Sequence, residues 1–465
     1  MIQKNLNDVL DKVRTLYPAE IDLTLDRLLT LLSKLGNPHR RLPPVIHVAG
    51  TNGKGSTIAF CRSILEAAGY SVHVYTSPHL VVFNERIRVA GKIVDDQRLY
   101  DALSTVERIN NGAPITFFEA TTAAAFLLFS EIPADIVLLE TGLGGRLDAT
   151  NVIESSLISI ITPISYDHPE YLGNTLVKIA FEKAGIIKSG TPVVIAPQPD
   201  EVIQVLLDQA ALKDSLAYVC GRDWDVHLLL GFPPPNLTGA HQTLNAATAV
   251  KALTTQACLP VTADAIATGL TTADWPGRLQ CLSNTIPNEF RNLDLTIRTE
   301  RPEWTPGCTE TYMRTRGSKI FEDQSLKGEG YNGYEVWVDG AHNVGGAKAL
   351  AQHLAAWKQE SPAPIVAIIG MKARKDVRSF LATLKPFIDR AVMIPIPDTD
   401  NGENYDPKSL AELAASLGIL ATTATNFDQA VDCIKRSYRP PCRMILTGSL
   451  YLVGHILAES VVKPG

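Results

Sequence analysis

The sequence predicts an α/β protein of two domains: a mostly parallel sheet domain built around a phosphate-cradling loop, then a smaller α/β domain. Short apolar runs alternate with helical segments along most of the chain, the pattern of a parallel sheet covered on both faces. The stretch Gly-Thr-Asn-Gly-Lys-Gly-Ser-Thr at 50–57 separates an apolar run from a helical one. At 465 residues the chain is also too long for one compact core.

Residues 5–35 read as one or two amphipathic helices, with Leu25, Leu28, Leu29 and Leu32 on one stripe. Strands are expected at 45–48, 72–75, 136–139, 157–161 and 193–196, and helices at 56–68, closed by Gly69, and at 123–129. A helical pair follows at 241–253 and 263–270, then a linker at 271–276. The alternation restarts with strands at 335–338, 365–369, 391–395 and 444–446, separated by helices at 345–357, 377–384 and 408–417. This divides the chain into domains at 1–271 and 272–465. Residues 283–333 are rich in Pro, Arg, Thr and Gly without a sustained period, and read as a segment inserted in the second domain.

The formal charge of −6 argues against a nucleic-acid backbone as the main partner. Seven cysteines without a Cys-x-x-Cys pair argue against a disulfide framework or a zinc site, and fit a reducing cytoplasm. The first 16 residues lack a signal-peptide core, and the longest apolar stretch, 121–129, is too short to cross a bilayer. The expectation is a cytoplasmic monomer with no nucleic-acid or membrane partner.

The loop at 50–57 carries the first chemistry. Glycines let the backbone curl until its N–H groups face a phosphate, and the following helix adds partial positive charge at its N-terminus. Gly53, Lys54, Gly55, Ser56 and Thr57 would hold ATP, with Lys54 reaching the β- and γ-phosphates and Ser56 or Thr57 helping to hold magnesium. Glu140 ends the expected strand 136–139, where a carboxylate at a sheet's carboxyl edge suits Mg2+. His168 follows a further strand, and Ser77 ends another. Each alone has a plainer reading, as an exposed loop histidine or as a turn residue before proline.

Together these segments resemble the bacterial dihydrofolate synthase/folylpolyglutamate synthase family, within the Mur ligase superfamily. The resemblance rests on residues 50–57, Thr-Ser-Pro-His-Leu (76–80), Asn-Glu-Arg-Ile (84–87), Phe-Phe-Glu-Ala (117–120) and Glu-Thr-Gly-Leu-Gly-Gly-Arg-Leu-Asp-Ala-Thr-Asn (140–151). It also rests on Asp-His (167–168), Glu-Lys-Ala-Gly-Ile (182–186), His-Gln-x-x-Asn-Ala (241–246), Trp-Pro-Gly-Arg (275–278) and Asp-Gly-Ala-His-Asn (339–343). It spans nearly the whole chain. It implies a P-loop domain followed by a Rossmann-like domain, and an ATP-dependent ligase. Such enzymes join L-glutamate to dihydropteroate, or to the γ-carboxylate of a reduced folate, through an acyl phosphate.

Carried over by resemblance, Ser77, Glu140 and His168 match magnesium positions. Asn245, Arg278, Asp339 and His342 match ATP-binding positions. Asp22, Phe117, Asp148 and Ala149 match the region that holds the pterin substrate. Lys183 matches a lysine the family carries as a carbamate, and with Lys54 and His168 completes the expected catalytic set. Read without the resemblance, Lys183 is a plain lysine on a solvated helix face, Asp339 a helix cap and Phe117 a core residue. Two features depart from the family pattern: a shortened region before His241 and a long path from Arg278 to Asp339. The competing functions are a Mur-type ligase for another carboxylate and an ATPase without ligase activity.

Overall fold

The computed structural model describes residues 2–15, 22–282, 334–397 and 404–462. The expected insert at 283–333 lies outside the described residues. The chain forms two compact units, Met1–Pro235 with Gln242–Ala273, and Asn236–His241 with Asp274–Gly465.

In the first unit the described strands are β1 (Val45–Ala49), β2 (Val72–Tyr75), β3 (Ile87–Val89), β4 (Lys92–Ile93), β5 (Ile136–Glu140), β6 (Ile158–Ile161), β7 (Val193–Ile195) and β8 (Ala217–Val219). They form one sheet in the order β4-β3-β2-β5-β1-β6-β7-β8. The pairs from β2 to β8 are parallel. Every residue of β1 and β5 is buried, which is why these strands read as near-continuous apolar runs, apart from His47 and the terminal Glu140, rather than alternating ones. At one edge β3 and β4 are antiparallel to their neighbours. Ala90 and Gly91 both take positive φ between them, the turn that matches strand twist in a two-residue hairpin. No period in the sequence marked that hairpin.

Two helices begin earlier than periodicity indicated. The helix after β1 spans Lys54–Ala67 and starts at the lysine of the phosphate loop. The helix expected at 123–129 spans Phe117–Glu131, because Thr116 and Glu119 form a capping box that starts it six residues earlier. Helices Asp96–Asn110, Leu176–Ala184 and Asp200–Leu212 complete the layers nearest the site.

The second unit holds a six-stranded sheet in the order β13-β12-β11-β14-β10-β9, from β9 (Gln280–Cys281), β10 (Tyr334–Val338), β11 (Ile365–Ile369), β12 (Arg390–Met393), β13 (Ala421–Thr423) and β14 (Cys442–Thr447). Only β9 runs antiparallel to its neighbour. Its helix Val344–Glu360 is capped by Asn343, whose Oδ1 accepts from the Gly346 N–H at 2.8 Å. Asn343 therefore takes the capping role that the sequence left open for Asp339. No described helix is long and apolar enough to cross a membrane.

Candidate active site

Four adjacent parallel strands, β2, β5, β1 and β6, bring the expected residues of the first unit to one sheet edge. Their carboxyl ends lead to Ser77, Glu140, the 50–57 loop and His168 respectively. Ligands bind at such edges because loops and helix N-termini converge there.

The loop leaves β1 through Gly50 and caps the next helix with Gly53 at φ 89°, a left-handed conformation that an L side chain adopts at a cost. Thr51 and Asn52 N–H groups donate to the Pro163 carbonyl, and Thr51 and Ser165 exchange hydrogen bonds. The loop is thus tied to the segment that carries Asp167 and His168. Lys54 Nζ donates to the Thr51 carbonyl at 3.3 Å and lies 3.8 Å from Glu140 Oε1. Ser56 and Thr57 are buried, and Thr57 Oγ1 has no hydrogen-bond partner among the described residues.

Glu140 is buried, and its Oε2 accepts from the Ser77 N–H at 3.2 Å. Ser77 and Glu140 are therefore brought together. His168 sits instead between Asp167 at 3.8 Å and Glu170 at 3.5 Å, with φ 51° at the start of the short helix Pro169–Leu172. Among the described residues no three His, Cys, Asp or Glu side chains cluster tightly enough to enclose a metal. Magnesium does not need such a cage, since it keeps several waters and takes one or two carboxylates. A buried glutamate beside a cationic loop, with an orphaned hydroxyl at Thr57, fits that ion.

Lys183 is the sharpest departure from its plain reading. It is fully buried rather than solvated, and its Nζ donates to the Gly50 carbonyl at 2.8 Å. Burial, with Lys54 adding to it, pushes its pKa down to about 7, while Asp167 and Asp148 oppose the shift. Its helix, Leu176–Ala184, packs so closely on the loop after Glu140 that a Cβ on Gly145 would lie 2.8 Å from the Glu182 and Lys183 carbonyl oxygens. Close helix–loop contact explains the paired glycines.

The expected substrate residues fall into two connected groups. Asp22 pairs with Arg27 at 2.8 Å, and Arg27 also binds Glu119, the residue that closes the cap of the helix opening at Phe117. The Phe117 ring meets Phe83 edge-on at 5.7 Å. That helix packs against the turn Ala149–Val152, which Asp148 caps. Asp148 is buried and accepts from Leu143 N–H, Thr150 N–H and the Thr150 hydroxyl. Burial raises its pKa against those hydrogen bonds.

Asn245 lies against the phosphate loop: a Cβ on Gly53 would stand 2.5 Å from Asn245 Oδ1. Its Nδ2 donates to Gln242 at 3.0 Å. Gln242, to which sequence reasoning assigned no role, is fully buried with Nε2 lacking a partner among the described residues. A polar residue one turn before Asn245 was the available signal.

In the second unit Asp339 directly follows β10 and its carboxylate accepts from the Leu279 and Ala341 N–H groups, both at 2.9 Å. Arg278 bonds the Gly277 carbonyl at 3.2 Å, and its Nη1 would be 2.8 Å from a Cβ on Gly340. His342 Nδ1 contacts the Gly340 carbonyl at 2.8 Å. Arg278, Asp339 and His342 thus share one loop cluster.

A family profile described as "Dihydrofolate synthetase, C-terminal domain" matches residues 324–459. The dihydrofolate synthase/folylpolyglutamate synthase of Escherichia coli (strain K12) is 31% identical over 461 residues, covering 96% of this chain and 94% of that protein. The solved structure of E. coli FolC in complex with DHPP and ADP superposes with a TM-score of 0.78 at 29% identity, covering 97% and 96% of the two chains. A bifunctional folylpolyglutamate synthase/dihydrofolate synthase with Mn, AMPPNP and L-glutamate bound superposes with a TM-score of 0.76 at 28% identity, covering 98% and 97%.

Proposed function

The chain belongs to the dihydrofolate synthase/folylpolyglutamate synthase family, and on that premise we propose that it is an ATP-dependent ligase joining L-glutamate to dihydropteroate or to the γ-carboxylate of a reduced folate. The observation that carries the reading is the convergence of the phosphate loop, Glu140 with Ser77, and buried Lys183 at one sheet edge.

A carboxylate acylates an amine poorly, so it is first activated. A substrate carboxylate oxygen attacks the γ-phosphorus of ATP, ADP departs, and an acyl phosphate forms. The glutamate nitrogen then attacks the acyl carbon, the carbon–oxygen bond to phosphate breaks, and the amine loses a proton. The N–H groups of 53–56 and the N-terminus of helix Lys54–Ala67 cradle the phosphates, while Lys54 offsets charge on the transferring group. Glu140, Ser77 and His168, with a hydroxyl of Ser56 or Thr57, are the residues we assign to magnesium. When bound, that ion neutralises phosphate charge. Asp22, Phe117, Asp148 and Ala149 hold the pterin end, and alignment of acyl and amine groups supplies much of the rate.

Arg278, Asp339 and His342 are assigned to ATP in the same reading, as is Asn245, which its contact with Gly53 supports. The assignment of a carbamate to Lys183 is supported by its burial and lowered pKa, which favour the neutral amine that attacks carbon dioxide. We also read the protein as a cytoplasmic monomer, a setting that suits the free thiols of Cys61, Cys220, Cys258, Cys433 and Cys442.

Phosphate release from ATP with magnesium tests the proposal. It should require both L-glutamate and dihydropteroate or a reduced folate. Release that proceeds equally without either would make the protein an ATPase and sink the ligase reading.

A further inference from the structure

We propose that His47 and Thr150 are positioning residues that fix the Asp148 carboxylate for recognition of a nitrogen heterocycle presenting N–H donors. This rests on the reading above that Asp148 holds the pterin end of the substrate.

His47 lies in the middle of β1 and is fully buried, with Val45, Ile46, Val48 and Ala49 as strand neighbours. A polar group there must find a partner or weaken the core. Its Nε2 is 2.9 Å from Thr150 Oγ1, and Thr150 Oγ1 is 2.5 Å from Asp148 Oδ1. All three residues are buried.

The direction of this chain follows from donor counts. A carboxylate only accepts, and a threonine hydroxyl has one proton. That proton goes to Asp148, so Thr150 must accept from His47, and His47 carries its proton on Nε2. Burial, with Lys188 adding to it, lowers the imidazole to about 3, so the ring is neutral and Nδ1 is bare. Nδ1 is buried without a hydrogen-bond partner among the described residues, as a bare nitrogen facing an apolar core can be.

A merely satisfied core histidine would need one hydrogen bond and no more. This one ends on a buried carboxylate whose ionised form burial opposes. Thr150 supplies two donors to Oδ1, its N–H and its hydroxyl, while Oδ2 takes the Leu143 N–H. The Gly142 N–H also bonds this carboxylate, so residues 142–150 together set its orientation. The turn itself is braced from behind by Lys188, whose Nζ donates to the Asn151 and Ile153 carbonyls at 3.3 and 2.6 Å. Asn151 Nδ2 ties it to the Arg146 and Gly185 carbonyls.

The test is steady-state phosphate release by the full-length enzyme, varying dihydropteroate and ATP separately. Thr150→Val should raise KM for dihydropteroate about tenfold, the value of one hydrogen bond to a charged group, and leave KM for ATP unmoved. Thr150→Ser should restore it. His47→Leu should act in the same direction, and His47→Gln, which keeps a donor at the Nε2 position, should recover. Nitrogen-15 NMR of histidine-labelled enzyme at neutral pH should find His47 protonated on Nε2, a readout that survives if His47→Leu fails to fold. The proposal is overturned by an Nδ1-protonated ring. It is equally overturned if Asp148→Asn raises KM for dihydropteroate but Thr150→Val does not, or if Thr150→Val lowers activity toward all substrates alike. If Asp148→Asn itself leaves that KM unchanged, the underlying substrate assignment fails and the relay falls with it.

Discussion

Lys183 Nζ donates a 2.8 Å hydrogen bond to the carbonyl oxygen of Gly50, linking the helix Leu176–Ala184 to the first residue of the phosphate loop. A cation buried beside Lys54 is unfavourable, and its lowered pKa of about 7 leaves a large neutral fraction under ordinary conditions. Labelled carbon-13 bicarbonate should give a carbamate resonance in the wild-type protein that Lys183→Met lacks. Turnover of Lys183→Met should fall by at least about a hundredfold, the scale of a misplaced catalytic centre. An unlabelled wild type would remove the carbamate and leave Lys183 as a loop anchor.

Lys54 stands 3.8 Å from Glu140 and bonds back to Thr51. Lys54→Ala should lower kcat by roughly a hundred- to a thousandfold, since one electrostatic donor at a developing charge contributes on that scale. Circular dichroism should be unchanged, because the side chain is not part of the apolar core. Near-normal turnover would remove the phosphate role.

Gly53 and Asn245 are packed so that a methyl group on one collides with the amide oxygen of the other, 2.5 Å from an added Cβ. Gly53→Ala also places a side chain at φ 89°. ADP binding by calorimetry should weaken markedly, and stability should fall by about 1–3 kcal/mol. Adding Asn245→Ala should recover only the part of the stability lost to the clash, because the strain at φ 89° remains, and should not recover nucleotide affinity, because it removes an assigned contact. Recovery of nucleotide affinity would leave Asn245 a packing residue.

His47 and His353 are buried and His79 is half-buried, and desolvation lowers them to about 3, 4 and 3 respectively. Their folded values lie below the ordinary value of 6.5, so between those limits the unfolded chain binds more protons. Stability should therefore fall as pH drops from about 6.5 toward 4, by an amount on the order of a few kcal/mol. Urea midpoints at pH 7 and 4.5 would measure it. His47→Gln should show a smaller drop than wild type, and an identical drop would exclude His47 as a contributor.

The parallel sheets were legible because buried strands such as Val45–Ala49 and Ile136–Glu140 are nearly continuous apolar runs, interrupted by His47 and ended by Glu140, that lead into glycine-containing loops. Residues at strand ends, Ser77, Glu140 and the 50–57 loop, could be placed at one edge from that alternation alone. Lys183 could not, because a lysine on a nine-residue helix looks solvated until the glycines at 144 and 145 are seen drawing the Glu140 loop onto it. His47 and Thr150 were equally silent. They stand 103 residues apart, and only the pairing of β1 with β5 and β6 brings the turn at 149–152 behind the strand. The early start of helix Phe117–Glu131 was written in Thr116 and Glu119, a capping signal that periodicity does not sense.

The most direct measurement is mass analysis of the products formed from ATP, magnesium, carbon-13 L-glutamate and dihydropteroate, with tetrahydrofolate in a parallel reaction. A product carrying one added labelled glutamate, formed with one phosphate released per bond, is the predicted result. ATP hydrolysis with neither acceptor gaining glutamate would contradict the folate-ligase reading.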